Sequence, residues 1–394
     1  MPTPSITIGL LWHSMNSDNL GVGALTLGNM AIVEDAARNA GLSVHFKVIG
    51  WDDPKPPYYS RSNIEIVGLR ARDLNPIGGR LAREVRECDL ILDIGAGDSF
   101  SDIYGPGRIS KMLLASNIVL RAGVPLMMSP QTIGPFESPI IGRAALNILR
   151  RATLVSSRDH LSTNFARQMK FNGKLTEASD VALRLPFVPA NEKSDGPLKV
   201  GINVSGLLFN GGYSGSNMFG LKVDYARLIR RVVGHFSAQK NCEVHLVGHV
   251  QSELQEIEDD RRVCKSLAQE FPNCVASPLF NSPSDAKSYI AGMDYFVGAR
   301  MHACIAAFSS GVPVVPMAYS RKFEGFFGAL GYDAVADCKV ETEEAIFAKI
   351  VDGFGNRAAL LDQLIKARAN GLEKLKAYED AVGSFIAKHL SKAA

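Results

Sequence analysis

Tyr295-Phe296-Val297-Gly298-Ala299-Arg300-Met301-His302-Ala303-Cys304-Ile305-Ala306-Ala307-Phe308-Ser309-Ser310-Gly311-Val312-Pro313-Val314-Val315-Pro316 reads as a complete strand–helix–strand unit. The apolar run 295–297 ends at Gly298, a helix of small residues begins near His302, and Gly311 stops it before a second apolar run. Strands that are apolar throughout, joined by helices, belong to parallel sheets covered on both faces. Arg300 and His302 then fall in the turn between a strand's carboxyl end and a helix N-terminus. Both side chains can leave that turn in the same direction, and the helix dipole together with Arg300 favours an anion there.

The same alternation extends outward in both directions. Toward the N-terminus, runs at 6–11, 43–49, 90–94, 125–129 and 153–156 read as strands, with helices expected at 23–39, 106–121, 140–150 and 160–168. The stretch 186–197, with three prolines, breaks the pattern and reads as a linker. A second series starts at 199–204, and 356–388 is helical by pattern. At 394 residues the chain is comfortable for two cores. The expected organisation is α/β: a Rossmann-like domain over 1–190, a second over 197–370, and a C-terminal helical tail over 371–394 that packs back on the first. The active site is expected in the interdomain cleft.

Composition excludes several classes. A net charge of +3 and no basic run interleaved with aromatics argue against nucleic acid as a partner. The cysteines Cys88, Cys242, Cys264, Cys274, Cys304 and Cys338 form no C-x-x-C pair and show no metal-ligand spacing, so reduced, mostly buried thiols and no metal site are expected. No stretch reaches the roughly 20 apolar residues of a membrane span, and the N-terminus shows no secretory pattern. A cytoplasmic protein follows, with room for peripheral contact at the inner face of the membrane.

Open parallel sheets bind ligands beyond the carboxyl ends of their strands, which directs attention to the polar residues there. After the first strand comes His13-Ser14-Met15-Asn16-Ser17-Asp18-Asn19-Leu20-Gly21-Val22-Gly23-Ala24, which contains no Walker loop and no G-x-G-x-x-G. Asp93-Ile94-Gly95-Ala96-Gly97-Asp98-Ser99-Phe100-Ser101-Asp102 follows a later strand. There Gly95 and Gly97 admit a ligand to the backbone, and Asp98 or Asp102 can orient or deprotonate a hydroxyl. The alternative is a tight turn with an Asp cap. In Ser129-Pro130-Gln131-Thr132-Ile133-Gly134, Gln131 offers neutral hydrogen bonds. In Ser156-Ser157-Arg158-Asp159, Arg158 either holds a carboxylate or phosphate as a fork or pairs with an acid. Lys322, in Tyr319-Ser320-Arg321-Lys322-Phe323, is a second phosphate ligand or a surface lysine.

Taken together these segments resemble the polysaccharide pyruvyl transferase family over roughly 6–337. The strongest part is Val297-Gly298-Ala299-Arg300-Met301-His302-Ala303, followed by Gly311-Val312-Pro313 and Lys322. The 93–102 segment is similar to the family's Gly-rich stretch ending in Asp, and 129–134 to its Pro-Gln-x-x-Gly loop. Ser157-Arg158-Asp159 with Ser162 is similar to its Arg-Asp-x-x-Ser element, and Asp180 to its Asp before an apolar run. The sequence departs from the family at Val22, where Asn19-Leu20-Gly21 is often followed by Asp, and at Gly95-Ala96-Gly97, where a triple glycine is usual.

The resemblance implies a fold like the two-domain GT-B glycosyltransferases, and transfer of a pyruvyl group from phosphoenolpyruvate to a sugar as a cyclic ketal. It implies that Arg158, Arg300 and His302 contact phosphoenolpyruvate, with the acceptor on the first-domain side. That acceptor is a polysaccharide or oligosaccharide precursor, free or lipid-linked. The resulting expectation has His302 as general acid, Asp98 or Asp102 as base, and Arg158, Arg300 and Lys322 around the donor. Gly95, Gly97, Gln131 and Asn19 bind substrate, and no cofactor or metal is needed. The main rival is a GT-B glycosyltransferase using a nucleotide sugar, with Glu324 on the ribose; a rival of another class is a non-enzymatic sugar- or anion-binding protein.

Overall fold

The computed structural model describes residues 4–190 and 196–390; the middle of the expected linker (191–195) and the last four residues of the expected tail lie outside them. The chain divides into two compact units, Met1–Ser17 with Leu25–Leu185 and Gly371–Ala394, and Asp18–Ala24 with Pro186–Asn370.

The first unit is built on strands β1 (Ser5–Leu11), β2 (Ser43–Trp51), β3 (Ile64–Leu69), β4 (Leu90–Asp93), β5 (Leu126–Gln131), β6 (Leu154–Ser157) and β7 (Leu175–Glu177). They lie in the order β3-β2-β1-β4-β5-β6-β7, and every pair is parallel. The second unit carries β8 (Leu198–Asn203), β9 (Cys242–Val247), β10 (Cys274–Ala276), β11 (Tyr295–Gly298), β12 (Val314–Ala318) and β13 (Ala336–Asp337), in the order β10-β9-β8-β11-β12-β13, again all parallel. Each sheet therefore reverses direction beside its first strand, between β1 and β4 and between β8 and β11. This is the switch point at which doubly wound sheets open a ligand crevice.

Leu90–Asp93 and Tyr295–Gly298 are buried at every position, which is why, Asp93 apart, they read as apolar runs. The weaker strands escape the sequence reading for the opposite reason. In β3 the pattern Ile64-Glu65-Ile66-Val67-Gly68-Leu69 mixes faces at a sheet edge, and Ile66 is exposed. β7, β10 and β13 have two or three residues each. The helix Glu343–Gly355, capped by the Thr342 side chain, also lies outside the elements read from the sequence.

Residues 18–24, read from sequence as part of the first domain, group with the second unit. Leu20 N–H donates to the His249 carbonyl (3.2 Å), and Asn19 forms an antiparallel bridge with Val250. The tail is a single helix, Arg357–Leu390, whose part from Gly371 onward belongs to the first unit. Leu375, Tyr378, Val382 and Ile386 are fully buried at three- and four-residue spacing, so one stripe of this helix faces core. The Tyr378 hydroxyl reaches Asn29 Oδ1 and Ser129 Oγ, both at 2.9 Å. Five of the six cysteines are buried, Cys242 is half-buried, and all are free thiols. No helix among the described residues is long and apolar enough to cross a membrane.

Candidate active-site residues

In the second unit, Arg300 is the cap residue of the helix Met301–Ser310, with extended backbone (φ −85°, ψ 117°). Its N–H donates to Asn203 Oδ1 (2.8 Å), tying the end of β11 to the end of β8 across the switch point. The guanidinium is held firmly. Nε lies 3.2 Å from both oxygens of Asp260, and Nη2 donates to Asp260 Oδ1 (2.7 Å) and to the Glu258 carbonyl (3.0 Å). Asp260 is fully buried and also accepts the N–H groups of Gly206, His249 and Val250. Burial alone would lower the Arg300 pKa, but the Asp260 carboxylate more than offsets it, and the group stays charged. Arg300 is thus a pinned cation rather than a mobile one, and Asp260, the residue that pins it, was missed in sequence.

His302 is half-buried, one residue beyond the helix start. Gly21 packs directly on it: a Cβ there would lie 2.5 Å from Nδ1 and 2.9 Å from Cγ. Asn19 Oδ1 accepts the Gly21 N–H (3.0 Å) and fixes this turn. The Asn-x-Gly element is therefore the seat of the imidazole. Nearby His249 is buried, and burial, followed by the charges of His302 and Arg300, lowers its pKa to about 3. Lys322 is half-buried on the short helix Arg321–Phe326 that follows β12.

In the first unit, the turn Gly95-Ala96-Gly97 follows β4 with three consecutive left-handed φ values of 53°, 48° and 91°. Two of its residues touch the other candidates. A Cβ on Gly95 would lie 2.2 Å from Gln131 Oε1, and one on Gly97 would lie 3.5 Å from Arg158 Nη1. Gln131 Nε2 donates to the Asp93 carbonyl (2.7 Å), and Arg158 N–H to the Gln131 carbonyl (3.2 Å). Burial pushes the Asp93 carboxyl up to about 7, against the pull of the Gly95 N–H and the Ser116 hydroxyl.

Arg158 is 4% exposed. Nη1 donates to Asp180 Oδ2 (3.3 Å), and Asp159 lies 3.9 Å from Nε, beyond hydrogen-bond reach. Nε and Nη2 are buried with no hydrogen-bond partner. The hydroxyls of Ser99, Thr132, Ser156, Ser162 and Ser179 are also buried and unpartnered, as is Gln131 Oε1. These residues lie near the carboxyl ends of β4 to β7, and Thr132 N–H binds the Gly97 carbonyl while Ser99 N–H binds the Gly95 carbonyl. Each unsatisfied buried polar group costs about 1–3 kcal/mol, and more when charged. A cationic fork among hydroxyls is the chemistry that receives a carboxylate or phosphate.

The two aspartates differ. Asp102 Oδ2 accepts the Glu137 and Ser138 N–H groups (2.7 and 3.1 Å), which anchors the start of the helix Pro139–Arg151. Half-buried Asp98 accepts the Tyr104 hydroxyl at Oδ2 (2.6 Å). The structure thus brings Arg158 together with Gly95, Gly97 and Gln131 around one turn of the first unit, and Arg300 and His302 beside Asn19 in the second.

Solved structures with the same architecture include a protein from Listeria monocytogenes described as a UDP-N-acetylglucosamine 2-epimerase (TM-score 0.60, 12% identity, covering 98% of this chain and 97% of that one). A trehalose-6-phosphate synthase gives 0.56 at 9% identity, covering 97% and 98%. A glycosyltransferase of kitacinnamycin gives 0.50 at 16%, covering 97% and 99%. At these identities the likeness shows the fold alone: two parallel α/β sheets of the GT-B kind, with a C-terminal helix. No curated protein matches the sequence. The profile of one family, polysaccharide pyruvyl transferase, matches residues 27–321. That match takes in Gly95, Arg158, Arg300 and His302 and covers most of the length, so this chain belongs to the polysaccharide pyruvyl transferase family.

Proposed function

We propose that the donor is phosphoenolpyruvate and that the product is a cyclic pyruvyl ketal on a sugar of a polysaccharide or oligosaccharide precursor, free or lipid-linked. The observation that carries this reading is the buried Arg158 guanidinium, with two donor nitrogens lacking partners among unsatisfied hydroxyls. Phosphoenolpyruvate carries a carboxylate and a phosphate, and Arg158, Arg300 and Lys322 are the cations for them. One sugar hydroxyl adds at C2 while His302 delivers a proton to C3, which becomes a methyl group. Asp98 takes the proton of that hydroxyl; Asp102 is the weaker candidate because Oδ2 already holds two backbone amides. A second hydroxyl of the same sugar then displaces phosphate from C2 and closes the ketal, its proton leaving with the phosphate. His249, held neutral by burial, adds no positive charge beside the acid.

A nucleotide-sugar donor is the competing reading. The observation in its favour is a cavity of about 370 Å³ lined by Glu324 with Ser320, Arg321, Asp333, Asp337 and Lys339. Calorimetric titration with phosphoenolpyruvate against a panel of nucleotide sugars separates the two. Arg158→Lys should abolish phosphoenolpyruvate binding, since a point charge cannot supply two fork donors. His302→Ala should keep binding but lose acceptor-dependent phosphate release. Tight binding of a nucleotide sugar with none of phosphoenolpyruvate would reject the proposal.

A further inference from the structure

The two tryptophans of the chain, Trp12 and Trp51, are partners. Trp51 is the last residue of β2, and Trp12 follows the last residue of β1, so both stand at carboxyl strand ends of the first unit. Their rings lie 4.9 Å apart at 44°. Trp51 is 45% exposed, whereas Trp12 is 5% exposed. Two features of Trp12 are costly and unexplained by packing. Its φ is 59°, a left-handed conformation that a bulky residue rarely adopts. Its indole N–H is buried with no hydrogen-bond partner. Strained backbone of this kind concentrates at ligand sites, where the surrounding structure holds it.

The surroundings are organised and polar. The loops after β1 and β2 are tied together: Asn16 Nδ2 donates to the Asp53 and Lys55 carbonyls (3.3 and 3.0 Å), Tyr58 N–H to the Met15 carbonyl (2.7 Å), and the Tyr58 hydroxyl to the Ser17 carbonyl (2.8 Å). Exposed Lys111 places Nζ 5.6 Å from the centre of the Trp51 ring. Asp52 is paired with Arg70 at 2.9 Å, and Gly68 leaves room for it, since a Cβ there would sit 2.6 Å from Asp52 Oδ1. A pyranose ring has an apolar C–H face and a hydroxyl edge. An exposed indole face, a buried indole donor awaiting an acceptor oxygen, and a charged rim offer the complementary surface.

We propose that Trp12 and Trp51 form a docking site for a sugar ring of the acceptor glycan. The site rests on the polysaccharide half of the function proposed above and is independent of phosphoenolpyruvate. Because the chain has no other tryptophan, emission excited selectively from tryptophan reports on this pair alone. The full-length protein is titrated with millimolar maltohexaose, cellohexaose, chitohexaose and mannohexaose. At least one should quench or blue-shift the emission in a saturable way. Trp51→Ala should abolish binding of that glycan by calorimetry with an unchanged melting temperature. Trp12→Phe, which keeps a ring but drops the N–H, should weaken it about tenfold. Silence across the panel, or wild-type affinity in a folded Trp51→Ala variant, overturns the proposal. Should Trp12→Phe fail to fold, the half-exposed Trp51 position decides by itself. Glycan quenching without phosphoenolpyruvate-dependent phosphate release would leave this site standing and remove the donor assignment, and the converse result would do the reverse.

Discussion

Gly21→Ala tests the placement of His302 through a single methyl group. The new Cβ would lie 2.5 Å from Nδ1, where ordinary van der Waals contact begins at 3.4 Å, so the imidazole must withdraw by about 0.9 Å. The same Cβ crowds Asn19 Oδ1 at 3.0 Å, which receives the Gly21 N–H and leaves little room for the backbone to yield instead. Gly21 is the second residue of the helix Leu20–Asn39 and has no left-handed φ, so alanine is conformationally acceptable. Helix propensity even favours it, by roughly 1 kcal/mol. Stability and activity should therefore move in different directions. Misplacing a reacting group by about 1 Å costs on the order of 100-fold, or about 2.7 kcal/mol of barrier. In acceptor-dependent phosphate release from phosphoenolpyruvate, kcat should fall roughly 30- to 100-fold, while the melting temperature holds or rises. Gly107→Ala is the control: it also lies in a helix, and its Cβ would meet nothing within 4 Å. A Gly21→Ala enzyme with kcat within about threefold of wild type, a loss far smaller than such a misplacement costs, would refute the claim that catalysis depends on where this imidazole sits.

Other outcomes are expected away from His302. Asp93 has its pKa raised to about 7 from 3.8, so between those values the folded state binds more protons than the unfolded chain, and stability falls as pH rises. Asp93→Asn can keep the Gly95 and Ser116 contacts and should stabilise the protein by on the order of 4 kcal/mol above pH 7, a gain that disappears toward pH 4 in denaturant titrations. Asp260→Ala leaves the largely buried Arg300 charge without its carboxylate and should cost about 3–5 kcal/mol by the same measurement. Tyr378→Phe removes the hydroxyl that reaches Asn29 and Ser129 and should lower stability by about 1–2 kcal/mol.

How far such residues can be read from sequence depends on whether their partners are local. Arg300 was readable because its signal is contiguous: an apolar strand, a glycine, two polar side chains and a small-residue helix. Its counter-charge was not. Asp260 lies forty residues upstream at the start of another helix, and no spacing rule links a helix-start aspartate to a strand-end arginine. Gly21 was readable as part of an Asn-x-Gly turn, but the reason for the glycine is an imidazole in a distant segment. Asp98 and Asp102 look alike in sequence; only the folded chain shows that one carboxylate anchors a helix start while the other takes a tyrosine hydroxyl.

Strand order explains what remained hidden at the level of the fold. The rule that ligands gather at carboxyl strand ends needs only the alternation of elements, and it led to the segments after β1, β4, β5, β6, β11 and β12. The sharper rule, that they gather where the order reverses, needs to know which strands are neighbours. That knowledge singles out β8 beside β11, and with it Asn203, whose carboxamide holds the Arg300 backbone. It also marks β1 beside β4, where Trp12 and the Gly95 turn leave adjacent strands. Unsatisfied atoms lie one step further from the sequence. An arginine before an aspartate suggests a local ion pair, whereas in the folded chain Asp159 Oδ1 accepts the Ser162 N–H at the head of a helix, and Arg158 keeps two donors unspent. The capacity to receive an anion comes from that division of labour between neighbouring residues, which composition and spacing do not record.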